Sequence, residues 1–185
     1  MPRLTDARKE LRRAQIAEAA VRCFGRTGLK GTSIADIIAE SGLSAGSIYA
    51  HYHNKADLIR AVVREVLAKR ADVIGEYAAD DVPPDPDELL ARLIAAIDPS
   101  QARVGVQTWG EATTTPDIRD IVVDMTERMR TLLHDCVTAW LVKVEHHEPS
   151  GARERAAPIA RRVMALYQAE LLYTALRSTT EETVS

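Results

Sequence analysis

Apolar side chains recur three and four residues apart along almost the whole chain. That spacing lines one side of an α-helix and differs from the two-residue alternation of a half-buried strand. Between about Asp6 and Thr27, Ile16, Ala20, Cys23 and Phe24 fall at i, i+4, i+7 and i+8. Near the other end Ile159, Val163 and Leu166 repeat the pattern, and no stretch of convincing strand alternation interrupts it. Composition agrees: 28 of the 185 residues are Ala, which loses least on entering a helix, and aromatic residues make up only 4%. The fold class expected is all-α.

Breakers divide this pattern. Gly25 and Gly28 are expected to stop the first helix. Thr32 is the expected N-cap of a short second helix with Ile34, Ile37 and Ile38 inward, and Ser33-x-x-Asp36 is a weaker capping box. Gly42 supplies the left-handed residue of a tight helix exit, and Ser44 caps a third short helix whose buried i, i+4 pair is Ile48 and Tyr52. Asn54 caps a fourth helix running to about Ala79, with Leu58, Val62, Val66 and Leu67 along it. Pro83, Pro84 and Pro86 mark a helix junction, with Asp85 as cap, Pro86 at the first helical position and Glu88 completing a capping box.

Asp98-Pro99-Ser100 is a second break. Thr115-Pro116 opens a long helix whose apolar residues read Ile118, Val122, Met125, Met129, Leu132, Cys136, Trp140 and Val144, closed by Glu148-Pro149-Ser150-Gly151. The last helix, about Ala152 to Arg177, adds Met164, Tyr167, Leu171, Leu172 and Leu176 to its apolar surface. A helix apolar on more than one face needs covering twice, by its own core and by something else. Ser178–Ser185 reads as a polar tail.

A net charge of −3 and a pI near 6.0 argue against a generally basic binder, but the charge is unevenly spread. Residues 1–70 hold 13 Lys/Arg against 7 Asp/Glu, a net of +6, while the remainder holds 11 against 20, a net of −9. The amino-terminal part is therefore the part suited to a polyanion. Two cysteines, Cys23 and Cys136, build no disulfide framework and fit a reducing compartment. The basic start Met1–Arg13 is followed by no apolar signal core, and no apolar run reaches membrane-spanning length. The expected location is cytoplasmic, away from membranes.

Helix, short helix, glycine turn and short helix form a helix-turn-helix pattern, in which the second short helix enters the major groove of DNA. With Ile48 and Tyr52 inward, a rotation of about 100° per residue points Gly46, Ala50 and His53 outward, flanked by Ser47 and Tyr49. Small outward residues let the helix backbone approach base edges, and Ser47, Tyr49 and His51 offer hydroxyls and an imidazole. The helix starts at Thr32/Ser33 and at Ser44 present free N–H groups suited to phosphate oxygens. Lys55 adds a cation there, and Arg8, Lys9, Arg12 and Arg13 are placed to follow the backbone or enter the minor groove. From Ser41 to Asn54 there is no Asp or Glu, as a groove-reading surface requires.

Three segments, in this order and spacing, carry a resemblance: Phe24-Gly25-Arg26-Thr27-Gly28-Leu29-Lys30-Gly31-Thr32-Ser33-Ile34-Ala35-Asp36-Ile37, then Ser41-Gly42-Leu43-Ser44-Ala45-Gly46-Ser47-Ile48-Tyr49, then Lys55-Ala56-Asp57-Leu58. Over residues 10 to 60 the chain resembles the TetR (tetracycline-repressor-like) transcription regulators. The resemblance implies a DNA-binding domain over residues 1–54 and a helical effector-binding and dimerisation domain over residues 55–185, with the last helices pairing two subunits. It places Thr32, Ser44, Ser47, Tyr49, His51 and Lys55 where the family touches DNA. With Ser33, Ala45 and Gly46 from the two helix starts, these form the expected DNA-binding set. Tyr52 stands where the family usually has Phe, and Ala50 is small at a position often larger.

Other chemistries fit less well. Gly42-Leu43-Ser44-Ala45-Gly46 matches a hydrolase nucleophile elbow, but that motif needs a strand before Ser44 and a sheet beneath it. His51 with His53, His134 near Cys136, and His146-His147 all lack the i, i+4 spacing that puts two metal ligands on one helical face. Neither an enzyme nor a cofactor is expected. Trp109, Met125, Met129, Cys136, Trp140 and Tyr167 are ordinary core candidates singly, and together candidates for a partly apolar effector pocket. The expected function is that of a ligand-released repressor, binding a palindromic double-stranded DNA operator as a homodimer. The alternative, a helical ligand-binding or protein-interaction module that does not read DNA, sits poorly with the charge split.

Overall fold

The computed structural model describes residues 4–181, with side chains over 7–68 and 71–177. Eight helices make up these described residues, with no strand among them: α1 (Leu4–Gly31), α2 (Ile34–Ser41), α3 (Ala45–Tyr49), α4 (Lys55–Ala79), α5 (Pro86–Ala95), α6 (Pro99–Ala112), α7 (Pro116–Lys143) and α8 (Pro149–Glu181). None of them is long and apolar enough to cross a membrane. Residues 182–185 of the expected polar tail lie outside the described residues; Ser178–Glu181 continue α8.

Most starts and stops follow from local chemistry. Ser33, Ser44, Asn54, Asp85 and Asp98 cap α2 to α6 in turn, each accepting a backbone N–H from the first turn. Gly42 is left-handed at φ 67°, and its N–H returns to the Ile38 carbonyl at 3.1 Å.

Several details differ from expectation. Gly25 does not stop α1; it is buried where α1 meets α6, and a Cβ there would lie 3.4 Å from the Ser100 Cβ. The break falls at Gly28 alone, at φ 82° and ψ 162°, a backbone open chiefly to glycine. Thr32 is not the cap of α2, because its hydroxyl points inward to the Gly28 carbonyl at 2.9 Å; Ser33 takes that role with a complete capping box. Glu88 does not complete a box at α5, since its carboxylate faces Arg92 one turn on at 2.5 Å. Thr115 and Pro116 do open α7, with the Thr115 hydroxyl donating to Glu111 at 2.5 Å and making no side-chain cap.

The buried seam of α7 is rotated from the one expected. Ile118, Ile121, Met129, Leu133, Cys136, Val137 and Leu141 are buried, while Val122, Met125, Leu132 and Trp140 are only partly covered. Val144 lies past the helix end and is exposed. The connection to α8 passes through His146 at φ 56°, and α8 begins at Pro149 instead of about Ala152.

Two main cores result. The first is closed by Ile16, Ala20, Phe24, Ile37, Ile48, Tyr52, Leu58 and Val62, with Val104 of α6 entering from below. The second gathers Ile74, Leu89, Leu133, Cys136, Val137, Val163, Tyr167 and Leu171 between α4, α5, α7 and α8. A smaller cluster of Val63, Leu67, Ala112, Ile118 and Ile121 joins them where α4 and α7 pack. Helix α4 thus contributes to every cluster, and α1 rests on α6. One face of α8 enters the second core; Leu166, Leu172, Tyr173 and Leu176 on the other are 40–58% exposed.

Candidate nucleic-acid interface

The turn from α2 to α3 is held by contacts that leave its outer side open. Ile48 is fully buried and Tyr52 nearly so, anchoring α3 from beneath. Gln15 of α1 donates to the Ser41 carbonyl at 3.0 Å, and the Leu43 N–H finds the Ser41 hydroxyl at 3.3 Å. The Ser44 hydroxyl accepts the Ser47 N–H at 3.2 Å. Above this base Ser44, Ala45, Gly46, Tyr49 and Ala50 are exposed, Tyr49 by 52%. A Cβ on Gly46 would meet nothing closer than the Ser44 hydroxyl at 4.0 Å, so the helix surface there is open.

Helix α2 is clamped onto α1 by one carboxylate. Glu40 receives Arg22 and Arg26, each at 2.6 Å, and Arg22 foremost and then Arg26 hold its carboxyl below the usual carboxylate range. The Ser33 N–H and then its hydroxyl do the same for Asp36. Burial raises the Tyr52 phenol, and burial raises the Cys23 thiol of the same core.

The expected DNA-binding residues separate into groups. Ser44, Ala45, Gly46, Ser47 and Tyr49 lie together on the outer side of α3 and its cap, with Ser33 exposed at the start of α2. Thr32 does not join them: it is 1% exposed, and its hydroxyl is shared with Thr27 at 2.7 Å and the Gly28 carbonyl. It stabilises the kink of α1 from within. His51 is half-buried, tilted against the Tyr52 ring and lining a cleft with Glu10, Arg13, Asp57 and Glu65. Lys55 Nζ donates to the Lys30 carbonyl at 2.7 Å, a cation at the last turn of α1 where the helix dipole favours it.

Sequence spacing gave no sign of the contacts that tie this module to the bundle. Gln107 of α6 accepts the Leu29 N–H at 3.2 Å, the first N–H released by the Gly28 break. Lys30 pairs with Glu111 at 3.0 Å, and Arg60 with Asp117 at 3.4 Å. The Thr115 hydroxyl and then Lys30 hold Glu111 below its ordinary value.

The effector candidates do not form one pocket. Met129 and Tyr167 share an open pocket of about 140 Å³ with Val73, Ile74, Leu93, Ala96 and Gln101. Cys136 is fully buried in the same core, its thiol pushed up to about 11 by burial, and Trp109 and Trp140 pack on that core's edge. Met125 lies apart, against the α4–α7 cluster.

The fold and this surface define the chain as an all-helical protein presenting a helix-turn-helix module on a larger helical bundle. Residues 16–62 match the family described as bacterial regulatory proteins, tetR family. The match falls within the helix-turn-helix module, and the remaining helices lie outside it.

Among relatives, it is 33% identical over 97 residues to the HTH-type transcriptional regulator TtgR of Pseudomonas putida, covering 52% of this chain and 46% of that one. To the HTH-type transcriptional regulator BetI of Burkholderia thailandensis it is 28% identical over 174 residues, covering 90% and 84%. A protein from Saccharomonospora viridis solved in complex with choline superposes with a TM-score of 0.63 at 25% identity, covering 85% of this chain and 81% of the other. The chain spans about half the length of the curated relatives it matches first.

Proposed function

We propose that the chain is a ligand-responsive DNA-binding transcriptional regulator, a repressor that binds a palindromic operator as a homodimer and is released by a small-molecule effector. The observation that carries the reading is the outer side of α3: Ser44, Ala45, Gly46, Ser47 and Tyr49 face outward over a rigid base, with no carboxylate from Ser41 to Asn54. Ser33 and Lys55 complete the proposed set, with His51 beside it in its cleft against Tyr52. Two such helices in a dimer reach successive major grooves when about 34–36 Å apart. The exposed apolar face of α8 supports a second copy as the partner that covers it.

The domain division at residues 54 and 55 makes α4 the lever, since it begins beside α3 and runs through both cores. The effector site centres on the pocket beside Met129 and Tyr167, whose mostly apolar lining suits a small, partly apolar molecule once the pocket widens from its present volume of about 140 Å³. The role is regulatory, not catalytic, and is exercised in the cytoplasm.

Selecting binding sites from random double-stranded DNA tests the reading. The expected product is an inverted repeat, bound with steep salt dependence. Lys55→Ala should weaken binding on all sequences and make the salt slope about one unit shallower. A purified dimer with no sequence preference overturns it.

A further inference from the structure

A second cleft lies where the two parts of the molecule meet, separate from the pocket beside Met129 and Tyr167. The end of α1, the start of α4, the end of α6 and the start of α7 surround a space of about 330 Å³, within the usual size range of small-molecule sites. Its floor is carbon: Leu29, Ala56, Ile59 and Ile118. Its rim is ionic, with Lys30, Lys55 and Arg60 against Glu111 and Asp117.

The rim cations differ in how they are neutralised. Lys30 faces Glu111 at 3.0 Å, and Arg60 faces Asp117 at 3.4 Å and Asp57 at 3.9 Å. Lys55 has only the Lys30 carbonyl, and among the described residues no carboxylate lies within ion-pair distance of it; Asp36 feels its charge from farther away. A cation holding a neutral oxygen at the mouth of a carbon-lined cleft gains more from an incoming carboxylate than from the carbonyl it already has. With Lys30 and Arg60 paired to Glu111 and Asp117, Lys55 leaves the rim one cation in excess, which disfavours a cationic ligand, and a purely polar anion would leave the floor unfilled.

We propose that this junction cleft is a binding site for an amphiphilic organic anion, its carboxylate on Lys55 and its apolar body against Leu29, Ile59 and Ile118. Nothing in the effector pocket is needed for it. One consequence does rest on the DNA-binding reading: an anion held by Lys55 removes that cation from a DNA phosphate, so occupancy opposes operator binding. The site itself is testable with no DNA present.

The test is isothermal titration calorimetry of the full chain with octanoate, 1-octanol and octyltrimethylammonium. Octanoate is expected to bind at least tenfold more tightly than the other two. Lys55→Gln should remove that preference. Ala56→Phe, at an exposed lining position, should fill the cleft and lower octanoate affinity at least tenfold; Ala56→Leu serves if the ring disturbs the helix content seen by circular dichroism. Equal or tighter binding of the alcohol or the ammonium ion overturns the proposal. So does a preference that survives Lys55→Gln, or an octanoate affinity indifferent to filling the cleft, which moves the ligand to another site.

Discussion

The two cores of this molecule reach closure by different routes. The amino-terminal core is small and is shut from all sides: Ile16, Phe24, Ile37 and Ile48 are fully buried, and polar groups seal the margins, with Glu40 clamped by Arg22 and Arg26 and Asp36 by Ser33. The carboxy-terminal core is larger and lined by many alanines, among them Ala102, Ala152, Ala156 and Ala160, so its helices approach closely. Yet it leaves Leu166, Leu172, Tyr173 and Leu176 of α8 facing outward. The first core is complete within one chain; the second presents an apolar face that burial against a partner would stabilise.

The largest expected effect probes the closed core. Phe24→Ala removes the largest fully buried side chain and should cost about 3–5 kcal/mol in chemical denaturation. Because Val104 of α6 belongs to the same cluster, unfolding should stay a single transition. Two separated transitions would break the picture of joined cores.

The open side is tested next. Leu172→Glu with Leu176→Glu should weaken self-association at least 100-fold by sedimentation, about 2.7 kcal/mol, while the monomer keeps its helix content. A dimer that persists would mean that another face pairs the subunits.

The boundary between the two regions is examined by Gly28→Ala. A Cβ there has room, its nearest neighbour being the Gln107 Oε1 at 3.9 Å, so the cost is that of placing an L-residue at φ 82° and ψ 162°, about 1–3 kcal/mol. No loss in the denaturation midpoint would show that the break in α1 relaxes freely.

The smallest effect concerns acid. Asp36, Glu40 and Glu111 are all held below their ordinary values, so the unfolded chain binds protons at a higher pH than the folded one. Their contribution is whole above the ordinary carboxylate range and is lost as pH falls below about 5. Glu40 and Asp36 both sit at the margin of the closed core, and with Arg22→Ala and Arg26→Ala together, which release Glu40, the decline of the urea midpoint with acid should be shallower. An unchanged slope would detach the clamp from the stability of that core.

Legibility followed the same division. In the amino-terminal module the caps Ser44 and Asn54, the left-handed Gly42 and the buried pair Ile48 and Tyr52 were all readable, because each depends on residues within four positions. Thr32 and Ser33 look alike to such a reading; which hydroxyl faces the helix start was decided by the path of the chain after Gly28. On α7 the periodicity was correct but its phase was not, since several apolar residues lie beside the seam and packing against α4 and α8 chose among them. Of the six effector candidates, drawn from α6, α7 and α8, packing brings only Met129 and Tyr167 to one pocket.

The uneven charge shows the limit of a sequence total. Of the amino-terminal cations, Arg22 and Arg26 face Glu40, Lys30 faces Glu111, Arg60 faces Asp117, and Lys55 caps the end of α1. The helical period, the caps and the order of the helix-turn-helix module are local properties, written in short stretches of chain and realised wherever those stretches fold. Which cations stay free, which glycine bends, and whether a cleft opens between Lys55 and Ile118 depend on residues up to 78 positions apart, as Leu29 and Gln107 are. Only packing brings such residues together, because no side chain's own preference extends beyond a turn or two of helix.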